Sequence, residues 1–434
     1  MVSVELELTA AAVANATVMA VLGHLARRGL TSHWAIQAAG IAFLAFQAAV
    51  SFLMGGMPGF IGLVASISAA ASLAFISTMW WGTWALVASI SATLLSSLSQ
   101  LVVLSVGSSV PKFLIYWEAL SLTLMASMGV AKRPEESEAA LKYVLVCFTG
   151  SLIAAAGFVI GMNDVGSTSM EAVLSGASLG AKAIILAGLS AEAAVFPLYF
   201  WAADAYTAMT PVLSALAMGG VAPATAYVAG LVAHSAGPAL GGLASALAIA
   251  GSLLSTLAAF VQNDVRRLLA YSSIAHEGYM FFAFASGLAP YGALHALGHA
   301  LSKVPLVLLA LATAEDGLGW RVEAFGTGNA MARYVAIVGA LGLMGLPPSL
   351  TFPSELLIFT ATFSAGGATR ALSLAFIACA ILSAGYAFRL IFARPTRGRV
   401  TSRPSPRIAL LAALVTSSAV LTPAWSQLLA SFGL

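Results

Sequence analysis

Residues 330–368 read AMARYVAIVGALGLMGLPPSLTFPSELLIFTATFSAGGA, an apolar run too long for one straight crossing of a bilayer, for which about 20 helical residues suffice. Gly345-Leu346-Pro347-Pro348 lies in its middle and Pro353 follows. Proline removes a backbone donor and clashes with the preceding turn, and backbone freed in this way is tolerated at membrane depth only beside protein or a water-filled cavity. The run is therefore predicted to be one discontinuous helix. A counterpart occurs at 178–200, ended by Pro197, where the stretch 191–201, AEAAVFPLYFW, sets Glu192 in an otherwise oil-like sequence.

The flanking sequence has the same character. The 434-residue chain is 60% hydrophobic and 8% charged, with a mean hydropathy of +0.96, the composition of an all-α polytopic membrane protein. Apolar runs place spans near 8–26, 34–54, 59–80, 83–107, 110–131, 139–161, 178–200, 211–233, 238–261, 268–286, 289–313, 330–368, 370–393 and 408–430, about fourteen transmembrane helices in all. A short surface helix is expected within 162–177, and the charged stretches 132–138 and 394–407 do not read as membrane. A net charge of +3, spread over short loops, argues against nucleic acid as a partner. Cys147 and Cys379 sit in separate apolar runs, and neither a dinucleotide fingerprint nor a phosphate-binding loop occurs, so this chain is expected to bind no cofactor. The N-terminus, MVSVELELTA, has acids where a signal peptide has bases, so the first run is expected to be a retained span.

Basic residues orient these spans. Arg27/Arg28, Lys132/Arg133, Arg266/Arg267, Arg321/Arg333 and the group Arg394, Arg397, Arg399, Arg403 and Arg407 follow odd-numbered spans, whereas the even-numbered loops offer Lys112 and Arg370. Odd loops are then cytoplasmic, with both termini outside the cell membrane. The interrupted seventh and twelfth spans cross in opposite directions under this topology, which marks an inverted repeat. Within a single membrane domain, 1–434, the first repeat is expected at 83–233 (helices 4–8) and the second at 238–393 (helices 9–13).

An ionised side chain at the bilayer centre costs roughly 2.5–3.5 kcal/mol on insertion scales, so each one held there asks for a reason. Glu118, Glu192, Glu277, Lys303 and Glu355 all fall within spans, with His276 beside Glu277. His295, His299 and Lys303 recur every fourth residue, so they line one helical face and could relay protons through water. His295 and His299 have the spacing of a metal pair, but no third ligand or general-base Glu stands between them, so no metal is expected. The competing reading is structural, with histidines bonding across the bundle and Lys303 paired with Glu192. Lys182 lies about 15 Å along a helix from Glu192 and is expected to snorkel to the outer interface. Lys142 and Arg266 are expected at cytoplasmic helix ends.

The stretches YWEALSL, EAALKYVLVCFTGS, AVFPLYFWAADAYTAMTPVLSAL, QNDVRRLLAYSSIAHEGY, HALSKVPLVLL and GLPPSLTFPSELL occur in that order over about residues 83–393. They resemble motifs of the antiporter-like membrane subunits of respiratory complex I, shared with membrane-bound hydrogenases and Mrp-type cation/proton antiporters. The resemblance implies fourteen helices, two inverted five-helix repeats with discontinuous helices 7 and 12, and a central string of charged residues and water that moves protons. It sets Glu118 at the family's fifth-helix glutamate, Lys303 in the second-repeat lysine or histidine cluster, and Glu355 at the ion-carrying position of broken helix twelve. The first repeat departs from the family: Glu192 and Pro223 stand where lysines are usual, and Tyr199 where a histidine is.

The expectation is a proton-translocating subunit of a redox-driven pump of the NADH–quinone oxidoreductase or membrane-hydrogenase type, with sodium as the alternative ion. It would work in the lipid bilayer beside other membrane-arm subunits, leaving NADH, quinone and Fe–S clusters to them. The alternatives are a subunit of a multisubunit cation/proton antiporter, a scaffold with a non-conducting first repeat, and a stand-alone transporter. Glu118 and Glu192, two carboxyls in a medium of low dielectric, are expected to share one proton.

Overall fold

The computed structural model describes residues 2–28, 33–76, 83–128, 134–393 and 405–434, and every regular element among them is a helix. Lys132, Arg133, Arg394, Arg397, Arg399 and Arg403 lie outside the described residues. The first elements are α1 (Val2–Arg27), α2 (His33–Met54), α3 (Gly56–Ile76), α4 (Thr83–Ser105) and α5 (Val110–Met128). Next come α6 (Pro134–Tyr143), a π turn (Val144–Phe148), α7 (Thr149–Val165), α8 (Met170–Gly176), α9 (Leu179–Glu192) and α10 (Phe200–Ala208). A second π turn (Ala217–Val221) joins α11 (Pro211–Leu216) to α12 (Ala222–Ser235). The remainder is α13 (Gly237–Phe260), α14 (Val265–Ala285), α15 (Ala289–Thr313), α16 (Ala330–Leu343), α17 (Thr351–Ala365), α18 (Gly367–Ile391), α19 (Pro406–Leu421) and α20 (Trp425–Ser431).

Among the described residues, 10 helices are long and apolar enough to cross a membrane, or 11 if α8 and α9, between which the chain bends by 119°, form one broken span. The chain is thus a multi-pass, all-helical membrane protein. The other sequence-predicted spans, at 110–131, 268–286 and 330–368, are also helical, as α5, α14 and α16 with α17. α5 and α14 are less uniformly apolar because they carry Lys112 and Glu118, and Arg266, Arg267, His276 and Glu277. The surface helix expected within 162–177 is α8.

Two sequence boundaries need correction. The charged stretch 132–138 is helical from Pro134 onward, because proline suits a first helical turn, Glu135 and Glu136 meet the positive end of the helix dipole, and Glu138 pairs with Lys142 at 2.7 Å. The span expected to end at 200 breaks after Glu192 and resumes as α10, reaching Ala208.

That break and the one between α16 and α17 share a register. Each helix stops, at Glu192 or Leu343. A residue with positive φ follows at the same step, Ala194 at 48° or Gly345 at 60°, then Pro197 or Pro348, each after a cis peptide bond. The second half begins at Phe200 or Thr351. Outside the breaks, two short antiparallel contacts also correspond. Val110 N–H donates to Thr168 O at 2.9 Å and Met170 N–H to Ser108 O at 3.2 Å; Val265 N–H donates to Trp320 O at 2.8 Å and Val322 N–H to Asn263 O at 3.0 Å. The first contact ties the start of α5 to the start of α8, the second the start of α14 to the loop after α15.

α15 is buried along nearly its whole length, surrounded by α3, α14, α16, α17 and α19. Large apolar side chains such as Leu53, Ile381, Phe392 and Val420 face outward from the peripheral helices, where lipid replaces water. Small residues let backbones touch: a Cβ on Gly188 of α9 would lie 2.4 Å from Gly150 O and Ala154 N of α7.

Candidate functional site: a buried string of acids and bases

Lys303 on α15 is fully buried, and its Nζ donates to Ser272 Oγ at 2.8 Å and Leu269 O at 3.1 Å. Lys303 therefore has two neutral acceptors on α14. Ser272 in turn donates to the Tyr386 hydroxyl of α18 at 3.0 Å. Glu277, one helical turn or so along α14, accepts from Tyr206 of α10 at 3.0 Å and lies within electrostatic reach of Lys303.

His276, His295 and Ser354 form a second chain, whose direction follows from its last link. The Ser354 hydroxyl donates to Thr351 O at 2.7 Å, so its oxygen accepts from His295 Nδ1 at 3.0 Å. His295 Nε2 is then a lone pair, and His276 Nδ1 donates to it at 3.0 Å. His276 Nε2 is buried and makes no hydrogen bond among the described residues. His299 has its ring 5.0 Å from that of His276, and neither of its nitrogens is hydrogen-bonded. The stripe His295–His299–Lys303 is thus buried as one face, but the histidine that bonds His295 comes from α14.

Glu355 on α17 is buried and packs onto the break in its own span: a Cβ on Gly345 would stand 2.0 Å from Glu355 Oε2. A side chain at that positive-φ position would displace the carboxylate. Ligand atoms of His276, His295 and Glu355 lie within 4.8 Å of one another. The three side chains come from α14, α15 and α17, a grouping that the spacing of His295 and His299 along one helix does not show.

In the other half Glu192, the last residue of α9, is buried and its Oε1 accepts from Tyr143 OH at 2.9 Å. Ser121 donates to the same hydroxyl at 2.8 Å, and Glu192 Oε2 is buried without a partner. Glu118 is half-buried and within electrostatic reach of Glu192, yet the hydrogen bond that Glu192 makes goes to Tyr143. Trp201 Nε1 donates to Ala191 O at 2.8 Å, satisfying a carbonyl that the break exposes, and its ring lies 4.9 Å from that of Tyr143. Pro223 is buried in the first turn of α12, just after the π turn, and Tyr199 is half-buried ahead of α10.

One lysine behaves differently from its predicted role, and a second gains partners. Lys182 does not snorkel outward: it is 7% exposed and its Nζ donates to Ser235 O at 2.8 Å, where the end of α12 leaves free carbonyls for a cation to meet. Lys142 is bound to Asp204 of α10 at 2.6 Å as well as to Glu138, and Arg267 holds the other Asp204 oxygen at 3.0 Å. These residues line a cavity of about 580 Å³.

Asp204, Tyr143, Tyr206, Ser354 and Tyr386 were absent from the sequence-derived candidates. Asp204 could have been found by the rule that found Glu192, since it is a carboxylate in an apolar run. The others are ordinary polar residues that become significant only through partners on other helices.

What the fold and this string define is a polytopic membrane protein whose ionisable and hydroxyl side chains run inward from the partly exposed Lys142, Asp204 and Arg267 through Tyr206, Glu277 and Lys303 to the histidines and Glu355. A family profile described as NADH:quinone oxidoreductase/Mrp antiporter, TM, matches residues 107–382, and the chain belongs to that family. It is 30% identical over 289 residues, 63% of this chain, to NADH-quinone oxidoreductase subunit N 1 of Streptomyces griseus subsp. griseus, and the match spans 61% of that relative's length. It is 33% identical over 313 residues, 69% of this chain and 70% of the relative, to NADH-quinone oxidoreductase subunit 14 of Thermus thermophilus. The fold matches a chain of the membrane-bound sulfane sulfur reductase, an archaeal respiratory membrane complex, with a TM-score of 0.84 over 99% of this chain and 96% of that one, at 20% identity.

Proposed function

We propose that this chain is an antiporter-like, proton-translocating membrane subunit of a redox-driven ion pump, seated in the cell membrane beside other membrane-arm subunits. The observation that carries the reading is the buried acid–base string of α10, α14, α15, α17 and α18. Keeping Lys303, Glu277 and Glu355 together in an apolar interior is costly, and paired placement of intramembrane ionisable groups is the mark of an ion or proton path. Lys303 holds a proton against Ser272 and Leu269 while Glu277 sets the local field. A proton leaving it along α15 meets His299 and then the His276–His295 pair, and Glu355 at the helix break releases it toward the other face. The names of the relatives favour the redox-driven setting; the Mrp branch of the family keeps the cation/proton antiporter as the alternative.

About fourteen crossings in two inverted repeats, 83–233 and 238–393, are part of the proposal. The matched registers of the two breaks and the paired contacts at Val110/Met170 and Val265/Val322 support it. So does the clustering of cations: Arg333 caps the α18 end by donating to Ala393 O and Ile391 O, Arg389 donates to Phe260 O, and Arg266 pairs with Asp264, all at the end of the bundle that holds Arg267 and Asp204. A cytoplasmic face there sets both termini outside. A non-conducting first repeat is a second reading, favoured by Pro223 and by the Tyr143 bond on Glu192.

The test is Lys303→Ala in the whole complex in membrane vesicles. Acidification should be abolished while the complex assembles; parent-level acidification overturns the proposal.

A further inference from the structure

We propose that His276, His295 and Glu355 form a binding site for a first-row transition-metal ion, best suited to Zn²⁺. The donor set is two imidazoles and one carboxylate, which zinc takes with one position left for water. The two facing nitrogens, His276 Nδ1 and His295 Nε2, are 3.0 Å apart, close to the roughly 3.4 Å edge that tetrahedral zinc with bonds of about 2.0–2.1 Å requires. Three ligand atoms within 4.8 Å of one another are slightly wider than two such bonds, so the Glu355 carboxylate must swing inward. No hydrogen bond among the described residues holds it back.

Two further observations point to a ligand. His295 Nδ1 donates to Ser354 Oγ, the outer hydrogen bond that orients a metal-binding imidazole and leaves Nε2 as a lone pair toward the site. His276 Nε2 is buried and unpartnered, so the proton now on His276 Nδ1 can move to it when a metal takes Nδ1. The carboxyl of Glu355, if protonated, releases its proton to solvent as the metal binds. A cavity of about 920 Å³, lined by His234, Phe282, Leu288, Thr362 and Leu372, opens where α12, α14 and α17 end. The packed rings of Phe282, Phe376 and Tyr279, at centroid distances of 6.0 and 5.0 Å, stand between that cavity and His276, whose ring lies 5.1 Å from that of Tyr279. Zinc held there occupies the junction of three helices and blocks whatever passes Glu355.

The experiment measures metal directly, so its outcome does not depend on the reading of the chain as a pump. The purified parent complex and its His276→Ala and Ser354→Ala variants are titrated with Zn²⁺, bound metal is counted by elemental analysis, and the zinc X-ray absorption edge is recorded. The parent should hold one more zinc than His276→Ala, and the difference spectrum should carry imidazole scattering. Ser354→Ala keeps all three ligands and should bind that zinc about tenfold more weakly. Equal zinc in parent and His276→Ala overturns the proposal. If His276→Ala does not assemble, unchanged affinity in Ser354→Ala overturns it.

Discussion

The two broken spans follow one backbone plan and hold their carboxylates differently. After Glu192 and after Leu343 the chain takes the same steps, and four residues into each second half stands an acid, Asp204 or Glu355. Asp204 is half-buried and tied to Lys142 and Arg267; Glu355 is buried and free of hydrogen bonds among the described residues. The positive-φ position reflects the difference. A side chain at Gly345 would displace the Glu355 carboxylate, while the first break carries Ala194 in the same conformation. A break makes room for an acid, and the neighbours decide whether that acid is anchored or movable.

Four substitutions probe this contrast. Gly345→Ala should have the largest effect, since its Cβ meets Glu355 Oε2 and its φ is unfavourable for alanine by roughly 1–2 kcal/mol. Ion movement by the complex in vesicles should fall more than tenfold, and near-normal pumping would break the contrast. Tyr143→Phe removes the donor to Glu192 Oε1 and leaves a buried acceptor unsatisfied, costing about 1–3 kcal/mol. A lowered midpoint of thermal inactivation of the complex checks it. Asp204→Asn removes a charge shared by Lys142 and Arg267 near the surface and should cost about 0.2–1 kcal/mol for each pair, less at high salt. Its salt dependence separates that anchoring role from any part in the path. Ala194→Gly, the smallest change, relieves a left-handed alanine and should alter stability by under about 1 kcal/mol in either direction.

Much of this was legible in the sequence, and the exceptions share a cause. Prolines and glycines announced both breaks, and the predicted 289–313 span coincides with α15, because an apolar run bounded by Ala289-Pro290 and a polar loop leaves little freedom. The extension of α10 to Ala208 was missed because Pro197 ends one helix without forbidding another. The His276–His295 bond, the Tyr143 hold on Glu192 and the buried seat of Lys182 were invisible because each joins side chains on different helices. Periodicity reports which face a residue occupies, and packing between helices decides what that face meets.

The central claim is that the acid after the second break moves protons and the acid at the same register after the first does not. The direct measurement is the ratio of protons moved to electrons transferred by the whole complex in sealed vesicles, with Glu355→Gln and Asp204→Asn compared against the parent. A ratio that falls sharply in Glu355→Gln and holds in Asp204→Asn is the predicted result. A parent-level ratio in Glu355→Gln, or an equal fall in both, contradicts it.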